Sequence, residues 1–215
     1  MSETKKNTKE RKIYRGITRK NFRNKLIKMY PKCKHDNGLI NKEDDRYIKD
    51  KITYGEMNYN GIEILYKYLN NKYKNNKLSI FLDVGSGRGK LCMYMGSYQK
   101  IKKSIGIELV EERHQHALEL LNKLPKKYSK NVKFFNENIL NKDLTKLITE
   151  PTFIWWSNLC FDKDKIEEIY TKLKSEIPSK SILCSSQEII NGNLADEIKI
   201  PMSWNEDSKV LIYEL

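Results

Sequence analysis

The stretch Phe81-Leu82-Asp83-Val84-Gly85-Ser86-Gly87-Arg88-Gly89 sets three glycines in alternation directly after a short apolar run. A buried strand that ends in such a turn, followed by a helix, brings the backbone close to a ligand where a β-carbon would collide. The surrounding pattern agrees. Leu78 to Val84 reads as a strand, Lys90 to Gln99 as a helix and Lys103 to Glu108 as a second strand. Glu111 to Leu124 is amphipathic and stops at Pro125. Further strands are expected at Val132 to Asn136, Phe153 to Ser157, Ser181 to Ser185 and Lys209 to Tyr213, with a helix over Lys163 to Glu176. Upstream, Gly61 to Leu69 is a helix with Asn58 or Asn60 near its cap. Alternating strands and helices of these lengths predict an α/β fold with a mostly parallel sheet covered on both faces.

Two acids flank the glycine turn. Asp83 precedes its first glycine, and Glu108 ends the following strand, where a carboxylate can take both hydroxyls of a ribose. Dinucleotide sites use G-x-G-x-x-G, with the helix N-terminus facing a pyrophosphate. Here the turn is D-x-G-S-G-x-G, and an acid at its head repels a diphosphate but suits a cation. No G-K-[ST] follows, which excludes a P-loop. S-adenosylmethionine carries an ammonium and a sulfonium and no phosphate, so it is the ligand these residues predict. Asp83, Gly85, Ser86, Gly87, Gly89 and Lys90 are its expected contacts at the turn, with Glu108 on the ribose. At the exit of the third strand, Asn138 is placed to meet the adenine amino edge and Ile139 its ring.

The 215 residues carry a net charge of +13, with 39% hydrophobic and 32% charged residues. That size supports one substantial core. No apolar run reaches the length a membrane helix needs, and the start, Met1-Ser2-Glu3-Thr4-Lys5-Lys6, has no signal-peptide core, so a chain that is not secreted is expected. Four scattered cysteines (Cys33, Cys92, Cys160, Cys184) lack metal-ligand spacing and predict reduced thiols and no metal. The charge is uneven: residues 1 to 34 hold thirteen Lys and Arg against two acids. A polar start over residues 1 to 12, a weak helix over Tyr14 to Tyr30 broken by Pro31, and an irregular connection over 31 to 50 make residues 1–50 a basic extension. Residues 51–215 then form the main domain. Lys5, Lys6, Lys9, Arg11, Lys12, Arg15, Arg19, Lys20 and Arg23 are its candidate contacts to nucleic acid.

The fourth strand ends in Trp155-Trp156-Ser157-Asn158-Leu159-Cys160-Phe161. Methyltransferases acting on amino groups of DNA bases carry N-P-P-[YF] or D-P-P-Y at this point; this chain keeps an Asn and an aromatic but no proline, which argues for another acceptor. Tyr54-Gly55-Glu56 precedes the first helix of the domain, Asp83-Val84-Gly85-Ser86-Gly87 is followed by Gly106-Ile107-Glu108, and Ser203-Trp204 precedes a last strand containing Tyr213. In this order and spacing the chain resembles the disruptor-of-telomeric-silencing family, the nucleosomal histone lysine methyltransferases without a SET domain, over residues 53 to 215.

The resemblance implies a Rossmann-like class I methyltransferase with a seven-stranded sheet, S-adenosylmethionine as cofactor and a lysine of a nucleosomal histone as acceptor. It implies that Tyr54 and Glu56 belong to a loop closing over the methionyl end, that Asn158 stands beside the transferred methyl, and that Phe161, Trp204 and Tyr213 wall a lysine channel. The family has Thr where Met57 stands, Gln at Lys90, Asp-Phe at Asn138-Ile139 and Gly at Asp162. Trp155 and Trp156 are expected in the core, and His114 and His116 on the surface. A monomer acting on nucleosomes is expected, with DNA held by the basic arm. Its place would be the nucleus or, since the Lys/Asn-rich composition fits a protist or large DNA virus, a host nucleus or viral factory. Two other readings stay open: an RNA or DNA methyltransferase, and a chromatin-binding module that has lost turnover.

Overall fold

The computed structural model describes residues 19–30, 54–76 and 78–215. The chain divides into two compact units, residues 1–32 and 33–215. In the first, α1 (Arg19–Met29) lies within the expected helix, with Phe22, Leu26 and Tyr30 buried. The unstructured start expected over residues 1–12, the connection over 31–50 and the boundary at 50 fall outside the described residues.

The second unit is built on seven strands: β1 (Ile80–Val84), β2 (Lys103–Glu108), β3 (Val132–Asn136), β4 (Thr152–Trp156), β5 (Ile182–Ser185), β6 (Leu194–Ile200) and β7 (Ser208–Glu214). They form one sheet in the order β3-β2-β1-β4-β5-β7-β6. The first five strands are parallel, and β7 runs antiparallel between β5 and β6. The strand order reverses between β1 and β4, and in open α/β sheets the crevice beyond the carboxyl ends at such a reversal is where ligands sit. The register carries the Asp83 position onto Gly106 and Trp155, and Glu108 onto Asn136.

The helices of this unit are α2 (Tyr59–Lys72), α3 (Lys90–Met95), α4 (Glu111–Asn122), α5 (Lys126–Ser129) and α6 (Lys163–Glu176). Asn58 caps α2, its side chain accepting from the Gly61 N–H at 2.9 Å. All five residues of β1 and of β4 are buried, as continuous apolar runs between two helical layers must be. On one face Leu82, Ile105, Ile154, Trp156, Leu183 and Tyr213 pack with Ile166, Ile169, Tyr170 and Leu173 of α6.

Two elements differ from expectation. The helix after the glycine turn ends at Met95, short of the expected Gln99, with Gly96 as its cap, where a β-carbon would lie 2.6 Å from Val132 of β3 and 3.2 Å from the Cys92 carbonyl. β6 had no strand signature, because Leu-Ala-Asp-Glu-Ile-Lys-Ile interleaves charges on a strand exposed along much of its length at the sheet edge. Such edges are commonly charged, which prevents pairing with other chains. Among the described residues no helix is long and apolar enough to cross a membrane.

Candidate active site

The crevice at the strand reversal is lined from three directions. The turn supplies Asp83, Val84, Gly85, Ser86, Gly87 and Lys90. The exits of β2 and β3 supply Glu108, Leu109, Val110, Arg113, Asn138 and Ile139. Tyr54 to Met57 and Trp155, Ser157, Cys160 and Phe161 close the remaining sides.

Gly85 and Gly87 have φ of 75° and 53°, in the left-handed region that suits glycine. A β-carbon on Gly87 would stand 2.6 Å from Cε2 of Tyr54, whereas one on Gly85 would meet nothing within 4 Å. Gly87 admits a close protein neighbour; Gly85 opens onto the space a ligand would fill. The Ser86 hydroxyl is buried here and has no partner among the described residues.

The charged lining sorts into two pairs and a remainder. Glu108 is held by the Gly87 N–H on Oε2 at 2.6 Å and the Val110 N–H on Oε1 at 3.0 Å, with the Arg113 guanidinium 3.9 Å away. Each carboxylate oxygen has a second lone pair, so a ribose can still be accepted. Glu56 accepts from the Tyr54 hydroxyl and from Lys90 Nζ at 2.6 Å. Arg113 also stacks over the Tyr54 ring at 5.0 Å. Asp83, 3% exposed, has only the Cys92 thiol at 3.7 Å and no cationic partner among the described residues. Burial, and then the neighbouring Glu108 charge, push its carboxyl well above the usual carboxylate range, opposed by the thiol hydrogen bond. Three buried carboxylates therefore face two buried cations. A ligand of net charge +1 balances the set, and S-adenosylmethionine, with two positive groups and one carboxylate, has that charge.

Segment 54–57 is strapped down. The Glu56 N–H donates to the Ser203 hydroxyl at 3.0 Å, the Ser203 N–H donates to the Glu56 carbonyl at 2.8 Å, and Met57 bridges Met202. Trp204 covers Gly55, where a β-carbon would lie 2.4 Å from its ring.

At the exit of β4, Asn158 is fully buried. Its Oδ1 accepts from the Ser186 and Gln187 N–H groups at 3.0 and 2.7 Å, and the Gln187 amide donates to the Asn158 carbonyl at 2.6 Å. Its flanks line the cavity but its side chain does not, and Nδ2 has no partner among the described residues. The side chain thus fixes the loop that presents Phe161, whose ring meets Trp156 edge-on at 5.6 Å. Asn138 accepts from the Leu140 N–H at 3.0 Å, which orients it at the adenine end.

Several expected residues stand elsewhere. Tyr213 is in the core, its hydroxyl accepting from the Ile189 N–H at 3.0 Å, because alternation along β7 puts it with Leu211 on the face packed in the core. It does not wall the cavity. Trp204 is 44% exposed and outside the lining. Trp155 lines the cavity while Trp156 is core. His114 is buried, since α4 packs that face inward, and burial lowers its pKa; His116 accepts from Arg88 at 3.2 Å and is half-buried. Of the basic arm, Arg19, Lys20 and Arg23 fall on α1, and Lys5, Lys6, Lys9, Arg11, Lys12 and Arg15 lie outside the described residues. Arg113 and Gln187 were not foreseen. Nothing in the spacing marks either one, because each acts on a segment distant in sequence.

The profile of the family described as Histone methylation protein DOT1 matches residues 47–207. The chain belongs to this family. The histone-lysine N-methyltransferase, H3 lysine-79 specific, of Caenorhabditis elegans is 30% identical over 144 residues, covering 64% of this chain and 15% of that protein. The chain thus spans a small part of that relative's length. Among solved structures, an RNA methyltransferase from Salinibacter ruber with S-adenosyl-L-homocysteine superposes with a TM-score of 0.55 at 12% identity, over 71% of this chain and 90% of that one. A putative methyltransferase from Escherichia coli gives 0.51 at 18%, over 71% and 84%. At those identities the likeness is one of fold, and it places this family member in the Rossmann-like class I methyltransferase architecture.

The unbalanced Asp83 gives a pH signature. Without ligand, folded Asp83 keeps its proton to higher pH than the unfolded chain does, so its contribution to stability falls as pH rises from about 4. Asp83→Asn is expected to melt above wild type at neutral pH without cofactor, the gap closing toward pH 4, and to bind S-adenosylhomocysteine about ten-fold or more weaker. Thermal melts across pH with calorimetry check both; a variant less stable than wild type at every pH refutes the assignment. Tyr213→Phe should cost about 1 kcal/mol in denaturant unfolding while leaving methyl-transfer kinetics within about two-fold.

Proposed function

We propose that this protein is an S-adenosylmethionine-dependent lysine N-methyltransferase whose acceptor is a core histone in nucleosomes. The observation that carries the reading is the buried Asp83, left without a cation in a cavity whose other buried charges, Glu56 with Lys90 and Glu108 with Arg113, are paired. Family membership and the printed activity of the Caenorhabditis elegans relative support the acceptor.

The residues fit the cofactor in detail. Asp83 and Glu56 suit its ammonium, Lys90 its carboxylate, Glu108 the ribose, and Asn138 with Ile139 the adenine. Family members have glutamine at Lys90; a lysine there keeps a donor for the carboxylate and adds charge, which Glu56 neutralises. When bound, the cofactor supplies an electrophilic methyl on sulfonium. Transfer of that methyl to an acceptor amine would require amine, carbon and sulfur to stand in line. Most of the protein's work is therefore alignment. Phe161 provides an apolar wall that disfavours the protonated amine, whose ordinary pKa is about 10.4. Asn158 and Gln187 hold that wall in place, and Tyr54 to Met57 exclude water from the methionyl end.

We also read residues 1–50 as a basic extension that engages DNA, the domain from residue 51 as the catalytic unit, and the working form as a monomer. The site of action would be the nucleus or, for a viral protein, the host nucleus or viral factory. A nucleic-acid acceptor is disfavoured by the missing prolines after Asn158.

Tritiated cofactor offered with nucleosomes, free histones, RNA and DNA tests this. Label is expected on histone lysine and should survive nuclease treatment. Label removed by nuclease would transfer the assignment to nucleic acid, and cofactor binding without any label would leave a binding module.

A further inference from the structure

Between Glu119 and Glu137 the chain has no acidic residue and five lysines: Lys123, Lys126, Lys127, Lys130 and Lys133, all exposed. The segment runs from the end of α4 through α5 into β3. Lys123 with Lys127, and Lys126 with Lys130, are four residues apart, and α5 is anchored by the buried Tyr128. The exposed Lys102 immediately precedes β2, whose Ser104 pairs with Val132 of β3 and donates its N–H to the Asn131 carbonyl at 2.8 Å. Several other lysines are neutralised: Lys72 by Asp196, Lys142 by Glu137, Lys172 by Glu176 and Lys209 by Glu197. None of these six has an ion pair among the described residues. They lie at the amino ends of β2 and β3, opposite the carboxyl ends that carry the cavity.

We propose that this lysine patch is a second docking surface, for the phosphate backbone of duplex DNA. The choice of DNA rests on the reading that the acceptor is nucleosomal. Lysines are compact point charges that meet phosphate without the planar fork that reads bases. Single strands are held largely by stacking on exposed aromatic rings; in this segment Tyr128 is buried, and Phe134 and Phe135 of β3 are only partly exposed. The patch therefore fits a backbone and offers no platform for unstacked bases. It belongs to the folded domain and is separate in sequence from the basic arm.

The test uses the full chain carrying Lys126→Gln, Lys127→Gln and Lys130→Gln, exposed positions where glutamine keeps helix propensity. Fluorescence anisotropy with a short labelled DNA duplex is followed across salt concentrations, with duplex RNA and single-stranded RNA in parallel, and S-adenosylhomocysteine calorimetry confirms the fold. Each lost phosphate contact lowers the slope of log affinity against log salt by about 0.9. The variant's slope on duplex DNA should drop by about three, with affinity about ten-fold or more weaker, and transfer to free histones unchanged. An unchanged slope overturns the proposal, as does a loss seen on RNA but not on DNA. If wild type labels no histone yet the DNA slope falls as expected, the patch stands and the acceptor assignment fails.

Discussion

A carboxylate taken out of water with no cation beside it is costly, and Asp83 is such a group. Its position is fixed by the sheet: it ends a fully buried strand, next to the reversal of strand order, with Glu108 on the neighbouring strand. The rest of the pocket is arranged around this charge. Glu108 is satisfied by backbone N–H groups and Arg113, and Glu56 by Tyr54 and Lys90. Neutralising either pair of partners would multiply the imbalance; neutralising Asp83 removes it. Burial shifts that carboxyl toward its protonated form in the empty protein, and a cationic methyl donor would supply the missing charge. Affinity for the donor and instability of the unliganded site are two aspects of one electrostatic arrangement.

The cavity is closed by two segments that contribute no strand at that point, and each is fixed by a third. Residues 54–57 are bound to 202–203 through paired backbone and hydroxyl hydrogen bonds, with Trp204 laid over Gly55. The loop after β4 is bound to the loop after β5 through Asn158 and Gln187. For a displacement reaction that depends on alignment, such braces matter as much as the groups that touch the ligand. They also explain why Asn158, whose carbonyl oxygen is committed to two backbone N–H groups, acts by holding Phe161 in place.

The basic character of the chain is divided between places with different duties. Lys90 and Arg113 are internal and neutralise acids of the pocket, while the lysines around α5 face solvent on the opposite end of the sheet with no ion pair among the described residues. Net charge by itself could not separate these roles, since one excess is a pocket component and the other a surface field.

The sequence determined what local conformation and short periodicity control. The glycines at 85, 87 and 89 require a backbone open to positive φ, and the largely apolar runs of β1 and β4 suit burial on both faces. Those features survive in the structure because each depends on neighbours within a few residues. Tertiary structure decided the rest. β6 became a strand because an edge can be charged. His114 went inside because α4 presents that face to the core, Tyr213 joined the core because it shares a packed face of β7 with Leu211, and Arg113 and Gln187 became part of the site because distant segments meet there. Such contacts are set by which elements pack together, and packing partners leave no trace in the spacing of a single chain.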